Sequence, residues 1–511
     1  MKALFFYIDT QTSSGYTTGL GIASISGYLR KHGVTTDIVY YKSDKDFGYS
    51  ITKVSEFSPD IIGFYSTSSN WRTVEMLSKA LRKRYRNIFQ VYGGVHATLV
   101  PDTLKTIRSL DAVCVGYGEV PMLELVEKRT GGEAVLDIKG LWIRYDDKTG
   151  SGIVKNPPYF PEDRFDEFLN FDYEIFFREL SRFQDFNKDA YRLETIFIRG
   201  CPFRCSFCCN NALSEVYGNR VFMPSPEASI RALKESLKAA KMRLIEIHDD
   251  TFTLNKEWFR EFIERYANAV NLPFICNLRV GTFGEDDVKL LKKANIHSAW
   301  VGIESGNDYI RNEVMKKPIS KKEIVRAFDL LHSYNIHTIT QNIIGVPRET
   351  PKHFLDTIRI NAELCHADHM LSVFYPYPKT ELYDLCIKKG WIDRHASGVE
   401  RIEPVLNLPN FSKKKIRFYF KNFRRLIKYQ RFRKQRPYIY LLPLTPQTDW
   451  LIAEVIRCGE RVMQITAKAA RSAIPAKTRH RLRLQKQRIS CRPPVGWVRY
   501  GSLRRKEPIS R

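Results

Sequence analysis

Arg199-Gly-Cys-Pro-Phe-Arg-Cys-Ser-Phe-Cys208 is the stretch on which the reading of this 511-residue chain turns. Its C-x3-C-x2-C spacing lets one loop wrap the thiolates of Cys201, Cys205 and Cys208 around an iron–sulfur cubane, and thiolates are the ligands such clusters take. Three ligands leave one iron open for a substrate or cofactor. Structural zinc would want a fourth Cys or His in closed tetrahedral geometry, and Cys209 is too close to Cys208 to be an easy one. Four of the ten cysteines crowd into positions 201–209 and the rest are scattered. A secreted disulfide framework would spread its pairs, so the grouping reads as metal chemistry in a reducing compartment.

Outward from the motif, strand and helix patterns alternate. Thr195–Ile198, Leu244–His248, Phe274–Leu278, Ser298–Ile303, Thr338–Ile344 and Met370–Phe374 read as strands, separated by helices such as Pro226–Ala239, Lys256–Ala269 and Lys321–Tyr334. Six such repeats predict a partial or full β/α barrel over residues 191–410, with its chemistry at the strand carboxyl ends. Cys201 follows the first strand, as that rule requires.

Upstream, residues 1–135 repeat the alternation, with strands at Ala3–Ile8, Asp37–Tyr41, Ile61–Ser66, Phe89–Tyr92 and Ala112–Val115. This predicts an open, flavodoxin-like (Rossmann-type) parallel sheet whose ligand lies beyond the carboxyl ends of the strands. Gly93, Gly94, Gly116 and Gly118 sit there, where backbone must turn or approach a ligand. The pattern weakens over 136–190, and Asn156-Pro-Pro-Tyr-Phe-Pro161 cannot continue a helix or a central strand. That segment is expected to be a linker. The fold class is therefore α/β, with a basic, mainly helical extension at 411–511.

The extension holds 28 Lys and Arg against 4 Asp and Glu, which is +24 of the net charge of +26. Phe and Tyr interleave with the cations from Lys413 to Arg436, a second apolar helix is expected from Trp450 to Ala470, and 475–511 read as poorly ordered. Three readings of this tail stay open: aromatics packed on the barrel with charges outward, a lipid surface, and, as the weakest, nucleic acid. No run of about 18 apolar residues occurs, so no spanning helix is expected. Asp9 ends the first apolar stretch too early for a secretory segment. A cytoplasmic protein is expected, with peripheral membrane contact through the tail as the lipid reading's consequence.

The cysteine motif, with Phe207 just before the last thiol, resembles that of the radical S-adenosylmethionine (SAM) superfamily over about residues 190–385. The resemblance implies a 4Fe–4S cluster on Cys201, Cys205 and Cys208, whose open iron chelates SAM, and reductive cleavage to a 5′-deoxyadenosyl radical. It also implies cofactor contacts at several strand ends. Asp249 and Asp250 stand where the family often has Gly-Gly-Glu and would meet the SAM ammonium; solvated acids ahead of a helix cap are the plainer alternative. Arg279 would pair with the SAM carboxylate, an ordinary salt bridge being the alternative. Glu304 and Ser305 resemble residues on the ribose or amino-acid part. Gln341-Asn-Ile-Ile-Gly-Val-Pro-Arg-Glu-Thr350, with Ile343 and Gly345, resembles the segment against adenine. Pro376-Tyr-Pro-Lys-Thr380 resembles a Pro-Gly-Thr element in which Lys379 replaces the glycine.

Pro59-Asp-Ile-Ile-Gly-Phe-Tyr-Ser66, Val91-Tyr-Gly-Gly-Val-His-Ala97 and Val115-Gly-Tyr-Gly-Glu119 resemble the cobalamin-binding domain of cobalamin-dependent radical SAM enzymes. Ser66, Gly93 and Gly94 would admit the cofactor, with Gly116, Gly118 and Glu119 on the same rim. The Asp-x-His-x-x-Gly motif that gives cobalt a histidine is absent, and His96 is not assigned to cobalt. The resemblance implies methylation of an unactivated carbon on a small-molecule, lipid or natural-product substrate, with electrons from a reductase or a flavodoxin or ferredoxin. The alternative is an oxidative cyclase, like that of anaerobic bacteriochlorophyll synthesis, or a rearrangement enzyme. A methylthiotransferase is disfavoured, because that family carries three cluster cysteines in its N-terminal domain and residues 1–200 hold only Cys114. A polyanion-binding protein acting through the tail is the non-enzyme alternative.

Overall fold

The computed structural model describes residues 1–10, 15–147, 150–186, 191–239, 242–364, 366–392, 399–435 and 443–458. Seven strands form the first sheet: β1 (Lys2–Ile8), β2 (Thr35–Tyr41), β3 (Ile61–Ser66), β4 (Phe89–Gly93), β5 (Ala112–Cys114), β6 (Leu141–Asp147) and β7 (Gly150–Lys155). Their order is β2-β1-β3-β4-β5-β6-β7. The first five run parallel, and β6 and β7 add an antiparallel hairpin at the β5 edge. The central strands are buried on both faces and accordingly read as unbroken apolar runs.

Six parallel strands form the second sheet in sequence order: β8 (Leu193–Thr195), β9 (Ile245–Ile247), β10 (Phe274–Leu278), β11 (Ile296–Glu304), β12 (His337–Ile344) and β13 (Asp368–Val373). Strands β8 and β13 each pair with one neighbour, so the barrel is partial. Strand β8 stops three residues before the expected end. Beyond Thr195 the chain leaves the sheet: the Phe197 amide donates to Asp249 Oδ1 at 2.7 Å, and Arg199 exchanges two 2.9 Å backbone bonds with Phe222.

The segment expected to be a linker is built into the fold. Besides the β6–β7 hairpin, a 3-10 turn at Glu162–Leu169 and a helix at Tyr173–Leu180 bury Phe165, Phe168, Leu169, Phe171, Tyr173, Ile175 and Phe176. These side chains belong to one apolar cluster that runs from a face of the first sheet into the helices of the second. The segment comes so close to the helix Leu20–Lys31 that a Cβ on Gly27 would lie 1.7 Å from the Asn170 carbonyl oxygen. Its 3-10 period, close to three residues per turn, explains why the 3.6-residue pattern fades there.

The basic stretch forms the helix Lys413–Gln435. Ile416, Tyr419, Phe423, Leu426 and Ile427 fall on one face and pack into a cluster with Phe354, Ile358 and Val373. A further helix at 449–458 lies beside it. The rest of the expected Trp450–Ala470 helix and all of 475–511 lie outside the described residues. Among the described residues, no helix is long and apolar enough to cross a membrane.

Candidate active site

The cysteine loop is fixed along its length. Gly200, at φ +103°, turns the chain out of the Arg199–Phe222 pair. The Ser206 amide donates to the Met315 carbonyl (3.1 Å), Ser206 Oγ to the Val314 carbonyl (2.6 Å), and the Leu382 amide to the Ser206 carbonyl (3.1 Å). Phe207 packs against the core formed by β12, β13 and the C-terminal helix. Cys208 precedes the helix Cys209–Val216, whose N-terminus favours negative charge.

Burial pushes the Cys201 thiol up to about 11 and raises that of Cys205. Such thiols become ligands only when bound metal takes up the charge. The Arg279 guanidinium, stacked 3.8 Å from the Phe203 ring centroid, reaches Cys205 Sγ at 3.8 Å, and Lys317 adds a second cation that favours its thiolate. A single zinc ion would draw its sulfurs to within about 3.8 Å of one another, given Zn–S bonds of about 2.3 Å. Among the described residues, the one group of three or more Cys, His, Asp or Glu ligand atoms converging within 4.8 Å is Glu194, Glu246 and His248. Cys201, Cys205 and Cys208 are not such a group, and three thiols in one loop are the ligand type an iron–sulfur cluster takes.

Strand β9 delivers Asp249 and Asp250. Asp249 is fully buried; its Oδ1 accepts the Phe197 amide and its Oδ2 has no hydrogen-bond partner, and burial lifts the carboxyl to about 7. Asp250 is exposed to solvent, yet the surrounding protein desolvates it and lifts it to about 6, and its charge bears on Cys201 and Cys208. Asp250 and Arg279 thus meet at the cysteine loop, while Asp249 also braces the chain leaving β8.

The remaining strand ends are occupied from within the chain. Glu304, at φ +63°, accepts Lys317 Nζ at 2.7 Å in a buried ion pair, and the same ammonium donates to the Gly302 carbonyl at 2.8 Å. Ser305 is fully buried, and its carbonyl accepts Arg311 Nη1 at 2.7 Å. Ile343 is half-buried on β12. The Gly345 amide donates to Glu349 Oε2 at 2.7 Å, which holds this loop, and burial raises Glu349 to about 8. Lys379 takes φ +65°, the backbone that a glycine there would adopt with less strain.

On the first sheet, Ser66 is buried with its Oγ 2.8 Å from the Tyr92 hydroxyl. Gly94 has φ +93°, and a Cβ there would meet the Tyr65 ring at 2.6 Å. Gly93 is half-buried, with the Cys114 Cβ 3.6 Å from the position its own Cβ would take. Gly116, at φ +96°, donates its amide to Thr98 Oγ1 at 3.1 Å. At Gly118 a Cβ would press on Ile25 at 2.7 Å, so that glycine serves helix packing. The rings of Tyr65 and Tyr217 lie against Gly94 and Gly116, and Gly93, with only the Cys114 Cβ nearby, leaves the most room for the close approach of a large planar cofactor. His96 is buried between Ser68 (3.1 Å) and the Trp71 ring, and burial pushes it down to about 4.

Two contacts bring the sheets' carboxyl ends together. Arg199 Nη1 donates to Glu119 Oε1 at 3.0 Å, and Ser24 Oγ donates to the same oxygen at 2.6 Å; Glu119 is 2% exposed. Ser69 Oγ (2.6 Å) and Thr67 Oγ1 (3.1 Å), just past β3, donate to Glu400, which also accepts the Tyr377 hydroxyl. The cysteine loop therefore starts against the first turn of the helix Glu119–Gly131.

Sequence reasoning missed Lys317, Glu349, Arg199, Glu400 and a cluster on β8 and β9. Register pairs Glu194 with Glu246, and His248 lies two residues on along the same face. Its Nε2 stands 3.9 Å and 3.8 Å from the two carboxylates, Arg192 pairs with Glu246 at 2.9 Å, and Glu194 accepts the Thr18 amide of the first domain at 2.5 Å. Burial alone would lower His248, but the carboxylates overcome it and raise the imidazole. The alternation Glu246-Ile-His248 was the available signal, without its partner strand.

Known proteins match the same two regions. The model of the radical SAM superfamily matches residues 195–360, and that of the B12 binding domain matches residues 8–126. An uncharacterized methyltransferase of Pyrococcus horikoshii is 28% identical, over 78% of this chain and 86% of its own. The anaerobic magnesium-protoporphyrin IX monomethyl ester cyclase of Rubrivivax gelatinosus is 24% identical, over 75% and 69%. The fold is similar to that of the radical SAM methyltransferase TsrM of Kitasatospora setae, solved with cobalamin and a 4Fe–4S cluster, with a TM-score of 0.61, 17% identity, and coverage of 81% of this chain and 84% of that one.

Proposed function

The chain is a radical SAM enzyme with an N-terminal B12-binding domain, and on that premise we propose that it methylates an unactivated carbon of a small-molecule or lipid-like substrate. When bound, the cluster supplies the electron that cleaves SAM to a hydrogen-abstracting radical, and cobalamin supplies the methyl group.

The chain's own residues hold, orient and shield. Cys201, Cys205 and Cys208 hold the iron, with Arg279 and Lys317 offsetting thiolate charge at Cys205. Asp250 offers a carboxylate to the SAM ammonium beside the loop, and Ile343 and Gly345 present an apolar strand end to adenine. Gly93, Gly94 and Gly116 give the corrin its approach. The pairs Arg199–Glu119 and Glu400–Ser69 hold the two strand ends face to face and narrow the access of water between them. That juxtaposition is the observation that carries the proposal.

The donor of the electron is proposed to be a flavodoxin- or ferredoxin-like protein, and the setting the cytoplasm, with peripheral membrane contact. The cyclase relative keeps an oxidative cyclisation as the second reading, with the same residues in the same roles. Anaerobic reconstitution with iron, sulfide and hydroxocobalamin tests the reading. Cluster absorption, corrin bands and 5′-deoxyadenosine from SAM under reduction are expected together. A cluster without corrin bands would remove cobalamin from the proposal, and no cluster beside competent controls would sink it.

A further inference from the structure

The helix Lys413–Gln435 has two unlike faces. Its apolar face is spent on the core, through Ile416, Tyr419, Phe423 and Leu426. Its solvent face carries Lys414, Arg417, Lys421, Arg424 and Lys428, all exposed, at spacings of three and four residues that line them up in one ridge. Beside it, the helix at 449–458 is anchored by Asp449, which accepts Lys415 Nζ at 2.8 Å and the Tyr419 hydroxyl. This helix turns Ile452 and Ala453 into the same core. Its opposite side exposes Trp450 (60%), Leu451 (46%) and Val455 (63%), within an arc of about 140° at 100° per residue.

Large apolar side chains standing in water on one short helix, next to a cationic ridge, need a partner. The two carboxylates within residues 411–458, Asp449 and Glu454, are each tied to a cation off the ridge; on the ridge Arg417 pairs with Glu403 at 2.7 Å, and Lys414, Lys421, Arg424 and Lys428 make no salt bridge among the described residues. Residues 459–511 add 15 Lys and Arg against two Glu.

We propose that this face is a docking surface for an anionic lipid bilayer, with Trp450, Leu451 and Val455 entering the headgroup–acyl boundary and the ridge of Lys and Arg meeting lipid headgroups. Two observations favour a bilayer over nucleic acid. Most rings of the basic helix that could stack on bases are turned inward, Tyr419 and Phe423 fully and Phe418, Phe420 and Tyr429 in part, and Phe432 near its end is 43% exposed. Exposed Leu and Val offer nothing to a base or phosphate but gain by contact with hydrocarbon. The inference does not depend on the methylation reading.

The test is flotation of the full-length, cofactor-reconstituted chain with vesicles of phosphatidylcholine alone or mixed with phosphatidylserine. Binding to the mixed vesicles only, weakened by salt, is expected. Lys421→Glu with Lys428→Glu should lower it by about tenfold or more, two charge reversals acting near the surface. Trp450→Ser with Leu451→Ser and Val455→Ser should lower it at every salt concentration. Brominated lipid should quench fluorescence of the wild type more than that of Trp450→Phe, which reads insertion directly. All variants should keep 5′-deoxyadenosine formation, which shows that they are folded. Absence of binding to anionic vesicles, binding indifferent to both sets of variants, or tighter binding to RNA at the same salt would overturn the proposal.

Discussion

The cysteine loop and the glycine rim of the first sheet face one another, yet they are specified in opposite ways. The loop works through side chains that are present: three thiols at fixed spacing, pinned by backbone bonds from Arg199 to Leu382. The rim works through side chains that are missing, and its shape depends on neighbours such as Tyr65 and Ile25 that press on the bare backbone. A motif of the first kind announces its chemistry, whereas one of the second kind announces only that something approaches closely.

The sharpest way to break the pair is on the loop. Cys205→Ala should abolish cluster assembly and 5′-deoxyadenosine formation while corrin binding persists, read by iron analysis and visible spectra on one sample. Next in size is the joint between the two. Arg199→Met leaves Glu119 buried without its ion-pair partner, and a loss of about 3–5 kcal/mol in denaturant unfolding is expected. The double variant Arg199→Met/Glu119→Gln should recover part of it. On the rim, Gly94→Ala puts a Cβ into the Tyr65 ring at positive φ, for about 1–3 kcal/mol of strain. It should weaken corrin binding and leave iron content intact, the mirror image of Cys205→Ala.

The smallest effect belongs to His248, which ties into both regions through Glu194. Its pKa is raised on folding, so its contribution is fully present below the unfolded value of about 6.5 and is lost as pH rises through the folded value. Asp249, lifted to about 7, slopes the same way. His248→Gln should therefore flatten, without abolishing, the fall in thermal midpoint as pH rises above about 6.5.

Much of this architecture was legible in the sequence because the parallel strands are buried on both faces and appear as apolar runs between amphipathic helices. The three cysteines were legible because ligand spacing is local. What escaped depends on pairings that spacing cannot show. Lys317 and Arg279 reach Cys205 from 112 and 74 residues away. Glu304 and Ser305, read as cofactor contacts, have internal partners in Lys317 and Arg311. The linker reading of 136–190 lost the hairpin, whose pairing with β5 is antiparallel and breaks the repeat, and the 3-10 turn, whose period is unlike that of a helix. For the aromatics of the basic stretch the sequence left packing, lipid and nucleic acid open, and the helix turns most of them to the core, as the packing reading had it.

That once-missed segment has a consequence for how the chain can be cut and recombined. Phe165, Phe168 and Phe176 serve the interior on both sides of the supposed boundary, so neither half owns a complete core. A fragment ending near residue 135 would present a bare apolar face where the segment lies, and a barrel begun near residue 191 would lack the same wall. The molecule should therefore melt as one cooperative body, and grafting its corrin half onto a foreign barrel requires carrying residues 136–180 along with it.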